Sequence, residues 1–324
     1  VSRQETQSNP AALLPLASPL SKPASRQELC ALGIYFAVVV VAADVLNVRL
    51  GVELLTVVVV LAAACISRSF VAFCRDWWMF LLGLLLWNLS GPVAAQSPFP
   101  QHLDFMLRLD RLLFLGHQPV SWIQHHLATM GKVGPLDVLA AVLYNMHLAE
   151  PYIAGFFLWR LQRAIFFQFV AASLLLLVAG FVTFILFPAV PPWLAGEPLR
   201  YIGNQYVGSP GGHTYLPGVF NGFGPVLHRH PLPFHGTPIF YLFHFAGDRV
   251  AAFPSEHAAF PLLECLAFAC ISRRATAGLA IWVLLIFGTI LYLGEHWVTD
   301  ALAGYVYAVV IWSGVRLIAR AGYR

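Results

Sequence analysis

The sequence predicts an all-α polytopic membrane protein, a helical bundle of about eight transmembrane helices, and three observations carry that prediction. Of 324 residues, 59% are hydrophobic and only 10% charged, more apolar side chain than a water-facing surface can hold. Apolar runs of about twenty residues, the length that crosses a bilayer core, recur from Cys30 to the C-terminus. Basic residues fall in the short connections between alternate runs, as the positive-inside rule asks.

Residues 1–28 are rich in Ser, Pro and Gln, and Pro15 breaks their short apolar stretch. A disordered cytoplasmic tail is expected there rather than a signal peptide. Spans are expected at 29–48, 50–66, 77–95, 136–159, 165–187, 254–271, 276–294 and 297–318. With the N-terminus inside, the arginines at 68, 75, 160, 163, 273, 274, 316, 320 and 324 are cytoplasmic, together with Arg3, Lys22 and Arg26. Both termini then face the cytoplasm of a plasma (inner) membrane, and segments 96–135 and 188–253 lie outside. Only Lys22 and Lys132 are lysine among nineteen basic residues, a bias that points to a GC-rich bacterial source.

The chain therefore divides into the tail, N-terminal transmembrane helices over 29–95, outer interfacial helices over 96–135, and a catalytic core over 136–324 that includes the loop 188–253. In the second unit, Leu103, Phe105, Met106, Leu109, Leu112 and Leu113 interleave with Asp104, Arg108, Asp110 and Arg111 at a period near 3.6. That is the pattern of a helix lying in the membrane interface with its apolar face in lipid. Ser121–Thr129 reads as a second such helix after the turn from Gly116 to Pro119. The 188–253 loop holds Pro191-Pro192, Gly211-Gly212 and five histidines, and a loop of that length is expected to be a lid or substrate-binding element.

Several function classes are disfavoured. A net charge of +4, dispersed over loops, offers no stripe for nucleic acid. Five cysteines without Cys-x-x-Cys spacing build neither a disulfide framework nor a thiolate metal site. His228-Arg229-His230 with His235 and His244 lacks metal-ligand spacing, so neither metal nor cofactor is expected. Asp44, Glu150 and Glu264 sit in apolar runs, where a charge costs about 2.5–3.5 kcal/mol. With His147 they could line a transporter path, the competing class, but no inverted repeat supports it and a structural role is the preferred reading.

Two short stretches carry chemistry. Phe253-Pro254-Ser255-Glu256-His257 opens the sixth expected span and Glu295-His296-Trp297-Val298-Thr299-Asp300 opens the eighth. One down-and-up helix pair separates them, so both return to the same membrane face. His296 and Asp300 are neighbours on a helix at i, i+4, and a carboxylate beside one ring nitrogen leaves the other free as a nucleophile. Pro254 and Ser255 stand at a helix start, whose free N–H groups attract phosphate, and His257 in the first turn can protonate a leaving alkoxide. Tyr144 and His147, at depth in the fourth span, are a polar pair with either a structural or a functional role.

Pro-Ser-x-His followed about forty residues later by His-x-x-x-Asp resembles the second and third motifs of the PAP2 superfamily, over roughly residues 136–318. The resemblance implies a six-helix core and a metal-independent phosphotransferase or phosphatase. It assigns His296 as the phosphorylated nucleophile, Asp300 as its orienting acid, His257 as the proton donor and Ser255 as a phosphate contact. Three departures stand against the family pattern. Thr289-Ile290 replaces the usual Ser-Arg before the nucleophile, Phe187–Trp193 replaces the Lys/Arg first motif, and Glu256 stands where many members have Gly. Arg249, Arg229, Arg200 and His147 are the candidates to take over the phosphate's cationic clamp. Tyr144-x-x-His147 with Pro151, Pro191-Pro192-Trp193 and Gly294-Glu295-His296 resemble the inositol phosphotransferase branch related to fungal inositol phosphorylceramide synthase. That branch implies a lipid phosphate substrate with a lipid or polyol alcohol as acceptor, and water as acceptor is the phosphatase alternative. Nothing in the sequence sets an oligomeric state.

Overall fold

A computed structural model of the chain describes residues 70–87, 93–128, 133–222 and 249–321, with helical residues 58–62 and the single positions Cys30, Ile34 and Val41 before them. The expected spans 29–48 and 50–66 therefore lie almost wholly outside the described residues, as do Asp44, Arg229 and the histidines between 228 and 244.

The long helices are α1 (Phe70–Trp87), α4 (Pro135–Leu161), α5 (Arg163–Leu186), α8 (Arg273–Tyr292) and α9 (Val298–Ala321). Of these, α5, α8 and α9 are long and apolar enough to cross a membrane. Two short amphipathic helices, α2 (Asp104–Leu113) and α3 (Pro119–Leu127), precede α4. A four-residue turn, α6 (Pro192–Ala195), follows α5, and α7 (Glu256–Phe268) sits between the later loop and α8. Local chemistry marks the boundaries. Proline occupies the first position of α3 and α4, where its missing N–H costs nothing. The Ser255 and Ser272 hydroxyl oxygens accept N–H bonds from Ala258 and Ala275 at the starts of α7 and α8.

At the centre lies α7, packed against α4, α5, α8 and α9, with Ala259, Leu263 and Ala267 wholly buried. It differs from the expected span 254–271: thirteen helical residues rise only about 20 Å, short of the hydrocarbon thickness. Its neighbours rather than lipid cover it. Of the expected span 77–95, residues 77–87 lie in α1 and 88–92 fall outside the described residues. Near the start of α1, Phe73, Trp77 and Phe80 stack into an aromatic cluster with Trp159, Phe166 and Phe169. At that end Asp76 takes hydrogen bonds from the Arg163 guanidinium and the Trp159 indole N–H, joining α1 to the α4–α5 turn.

One further expectation is adjusted. The α2 face that packs inward is Leu103, Met106, Leu107 and Asp110, while Phe105, Leu112 and Leu113 are exposed. The apolar residues of this helix thus split between core and surface instead of forming one lipid face. The fold class is all-α as expected, and the described residues add one small hairpin to it. Within the 188–253 segment, β1 (Leu199–Ile202) and β2 (Gln205–Gly208) pair antiparallel, with Leu199 opposite Gly208 and Ile202 opposite Gln205. Gly203, at φ 60°, supplies the left-handed residue that so tight a hairpin needs. Gln124 on α3 ties this segment to α8, accepting from Phe220 N–H and donating to the carbonyls of Phe220 and Tyr292.

The crossing of α7 and α9 is close enough that Gly304 faces backbone: a Cβ there would lie 2.1 Å from the Ser255 carbonyl oxygen. Gly304→Ala should therefore push the helices apart at a cost of about 1–3 kcal/mol. Gly314→Ala, further along the same helix with nothing within 4 Å of the added atom, should be neutral or slightly stabilising. Thermal unfolding of the two variants in detergent checks the contrast, and equal midpoints would contradict the close crossing.

Candidate active site

The two motifs meet where α7 and α9 begin. Ser255 N–H donates to the Asp300 carbonyl at 2.9 Å, so the backbone of one motif is pinned to the other. His257 occupies the first turn of α7, and His296 lies two residues before α9 on the tight turn at Gly294, whose φ is 75°. His257 Nδ1 and His296 Nε2 stand 3.1 Å apart. On the far side of His257, Nε2 is 2.7 Å from the Tyr144 hydroxyl of α4. His296 Nδ1 is 3.0 Å from the Ala252 carbonyl oxygen and 3.5 Å from Asp300 Oδ2.

These distances determine where the protons sit. A carbonyl only accepts, so the His296 Nδ1 that faces Ala252 carries hydrogen. Burial, only partly opposed by that carbonyl bond, holds the His296 imidazole down to about 3, so its Nε2 is an unprotonated lone pair. His257 then donates from Nδ1 to His296 Nε2, and its own Nε2 accepts the Tyr144 O–H. The result is a directed chain, Tyr144 to His257 to His296 to Ala252, ending on the main chain. Asp300 is fully buried, and the Trp297 N–H bond at 2.9 Å holds its Oδ2 beside His296. The carbonyl of Ala252 is the nearer acceptor and fixes the tautomer, while the carboxylate stands ready for the positive charge that arises if Nε2 is alkylated or phosphorylated.

Of the residues singled out by sequence, Tyr144, His147, His257, His296 and Asp300 come together. The His147 ring centroid lies 4.7 Å from that of His257, and His147 Nδ1 is 3.2 Å from Glu150 Oε1. The Trp282 indole N–H donates to the other oxygen of Glu150. Ser255 is wholly buried with its oxygen accepting the Ala258 N–H, a helix cap at the edge of the cluster. Arg249 and Arg200 are exposed, and among the described residues no lysine or arginine is buried. His257 is the partly open member of the set. Among the described residues no group of three His, Cys, Asp or Glu is arranged to hold a metal ion.

Sequence reasoning does not place three of the contributors in this site. Ala252 acts through its main chain and has no side-chain signal. Glu150 reads in the sequence as a transporter or structural acid, although its i, i+3 spacing from His147 announces the pair. Asp110 reads there as one of the polar residues of an interfacial helix. It is fully buried, and its carboxylate accepts from the N–H groups of Val298 and Thr299 and from the Thr299 hydroxyl. Burial raises the Asp110 carboxyl above its ordinary range, and those three bonds oppose the rise. Its signal is position: 103, 106, 107 and 110 share one helix face, and an acid that closes an apolar stripe faces the core.

Phosphoinositol dihydroceramide synthase of Bacteroides thetaiotaomicron is 27% identical over 181 residues, which cover 54% of this chain and 54% of that protein, so the chain spans about half the length of the relative it matches. No solved structure matches significantly. The PAP2 superfamily model matches residues 104–314, from the first residue of α2 to the later turns of α9, which is more than half of the sequence and includes both histidine motifs. The chain is a member of the PAP2 superfamily.

Proposed function

We propose that the protein transfers a phosphate or phospho-alcohol group between lipid-borne alcohols at the extracytoplasmic membrane face, through a phosphohistidine formed on His296. The observation that carries this reading is the 3.1 Å approach of His257 Nδ1 to His296 Nε2. It sets a proton donor and a free lone pair side by side, where one phosphoryl group can take the place of their hydrogen bond. In the first half-reaction the His296 lone pair attacks phosphorus, the bond from phosphorus to the donor's alcohol oxygen breaks, and His257 gives its Nδ1 proton to that oxygen while its Nε2 takes the proton of the Tyr144 hydroxyl 2.7 Å away. The imidazolium character that develops on His296 is met by the Asp300 carboxylate and the Ala252 carbonyl. In the second, the acceptor's hydroxyl loses its proton to His257 Nδ1 as Nε2 returns a proton to Tyr144, the acceptor oxygen attacks phosphorus and the N–P bond breaks. His257 and Tyr144 end protonated as they began, so the cycle closes without net proton change.

Around that pair, Tyr144 presents His257 in the donating tautomer, and His147, held by Glu150, lies beside it as a phosphate contact. Ser255 and Arg249 complete the proposed binding set, with Ser255 at the α7 N-terminus, where free N–H groups favour an anion. The site requires no metal. The name of the Bacteroides relative favours an inositol phosphate as the transferred group and a ceramide-type alcohol as acceptor. Water would make the same site a lipid phosphate phosphatase. The transporter reading loses support, because Glu150 and His147 engage each other and Trp282 at the catalytic cluster rather than lining a separate path.

His296→Ala should abolish both phosphoenzyme formation and turnover, a loss of at least about a thousandfold, while the protein still inserts and unfolds cooperatively. Acid-labile, base-stable label on purified protein after brief exposure to a labelled phospholipid donor is the measurement. Wild-type turnover by His296→Ala would remove the mechanism. For Asp300→Asn, roughly a hundredfold or greater loss of kcat is expected with little change in KM, since the neutral amide no longer balances the charge on His296. Competing ceramide-type alcohol against water in the same assay, with products separated by mass, distinguishes transfer from hydrolysis.

A further inference from the structure

The start of α9 is a helix N-terminus whose cap is incomplete in its own sequence. Trp297 occupies the capping position, and Asp300, three residues on, accepts the Trp297 N–H at 2.9 Å. That is half of a capping box; the other half is an oxygen on the capping residue that takes the N–H groups of the first turn. An indole has none. Trp297 instead directs its N–H into the Val190 carbonyl at 2.8 Å. The missing oxygens come from Asp110 on α2, which accepts from Val298 N–H at 3.2 Å, Thr299 N–H at 3.0 Å and the Thr299 hydroxyl, with no exposure to solvent.

We propose that Asp110 is a positioning residue for the nucleophile: it completes the α9 cap from another helix and thereby keeps Asp300 aimed at His296. The inference rests on the phosphohistidine reading above. Its physical basis is competition for donors. A carboxylate at the third helical residue can reach the first-turn N–H groups as well as the one before the helix. Asp110 occupies the N–H groups of Val298 and Thr299, so the Asp300 side chain stays on Trp297, where its Oδ2 is 3.5 Å from His296 Nδ1. Without Asp110 those two N–H groups lose their acceptor, and the acid in the same first turn is Asp300. Turning to them takes it away from the imidazole. The role also accounts for the buried carboxylate on a helix whose other charged residues, Asp104, Arg108 and Arg111, are exposed.

The test compares Asp110→Asn, Thr299→Val and Thr299→Ser in the full-length protein in detergent. Asp110→Asn keeps size and one acceptor oxygen but turns an amide NH2 toward donors. Its kcat should fall about tenfold to a hundredfold, the range for an outer partner of a reacting group, with KM within about threefold. Thr299→Val should show a share of that loss, and Thr299→Ser, which keeps the hydroxyl, should recover it. Imidazole 15N chemical shifts of His296 give a readout that needs no substrate: Asp110→Asn should move the His296 Nδ1–H signal, and Thr299→Ser should not. A variant with lowered thermal stability but wild-type kcat and unmoved His296 shifts would make Asp110 a structural cap only and overturn the proposal. If wild-type protein forms no phosphohistidine, the functional reading fails as well; if it does and Asp110→Asn matches it, this inference alone fails.

Discussion

The candidate site depends on how closely α7 and α9 cross. With hydrogen alone on Gly304, the second helix can lie against the Ser255 carbonyl, and the Ser255 N–H can reach the Asp300 carbonyl. The two motifs are thereby joined through main chain, which side-chain motion cannot disturb. The 3.1 Å between the imidazole nitrogens follows from that join. Gly180 serves the same packing on the α5 side, where Glu256 fills the space a Cβ would need. Small residues at helix crossings are how bundles bring backbones together when lipid outside is as apolar as the core within.

The second constraint is polar. Imidazoles, carboxylates and a phenol are buried in one cluster, and each desolvated group needs a partner. The cluster answers with chains that end on fixed main-chain atoms, Ala252 for His296 and the N–H groups at the α9 start for Asp110 and Asp300. Main-chain ends make the network directional. A side-chain partner can change tautomer or rotate, whereas a carbonyl in a braced loop only accepts. The brace here is the run His102, Ala189 and Ala251, three adjacent segments bridged side by side, so both ends of the 188–253 segment help to hold the carbonyl that His296 faces.

Much of this is legible in the sequence because the decisive residues are consecutive or one turn apart. His296 and Asp300 at i, i+4, and Pro254-Ser255 at a helix start, announce their geometry locally, and the return of both motifs to one face follows from counting helices. The contributors that are not legible act across distance or through backbone. Ala252 has nothing to show in a side chain. Asp110 meets α9 across 188 residues of chain, and its neighbours Asp104, Arg108 and Arg111 suggest a solvated face. The length of the central α7 is overestimated from sequence because an apolar run records burial and not its source: neighbours that cover a helix and lipid that surrounds it leave the same hydropathy. The hairpin at 199–208 lies inside a stretch whose Pro and Gly content argues only for a loop.

Prolines connect these local and distant effects. Pro151 and Pro261 stand inside α4 and α7, each four residues after a site histidine, His147 and His257. In a regular helix the residue at that spacing donates its N–H to the histidine's carbonyl, and proline has none to donate. Both histidines therefore sit where the helical ladder is interrupted, so the local backbone can adjust without breaking a bond that was made. To admit a phosphoryl group the paired imidazoles must separate, and they must close again when it leaves, which needs that freedom at His257. The opposite is needed at His296, which must hold still to be attacked from and returned to. That ring is fixed by a carbonyl, a carboxylate and a helix start capped from another helix. The unequal bracing of the two histidines suits the unequal roles proposed for them, a proton carrier that moves and a nucleophile that stays.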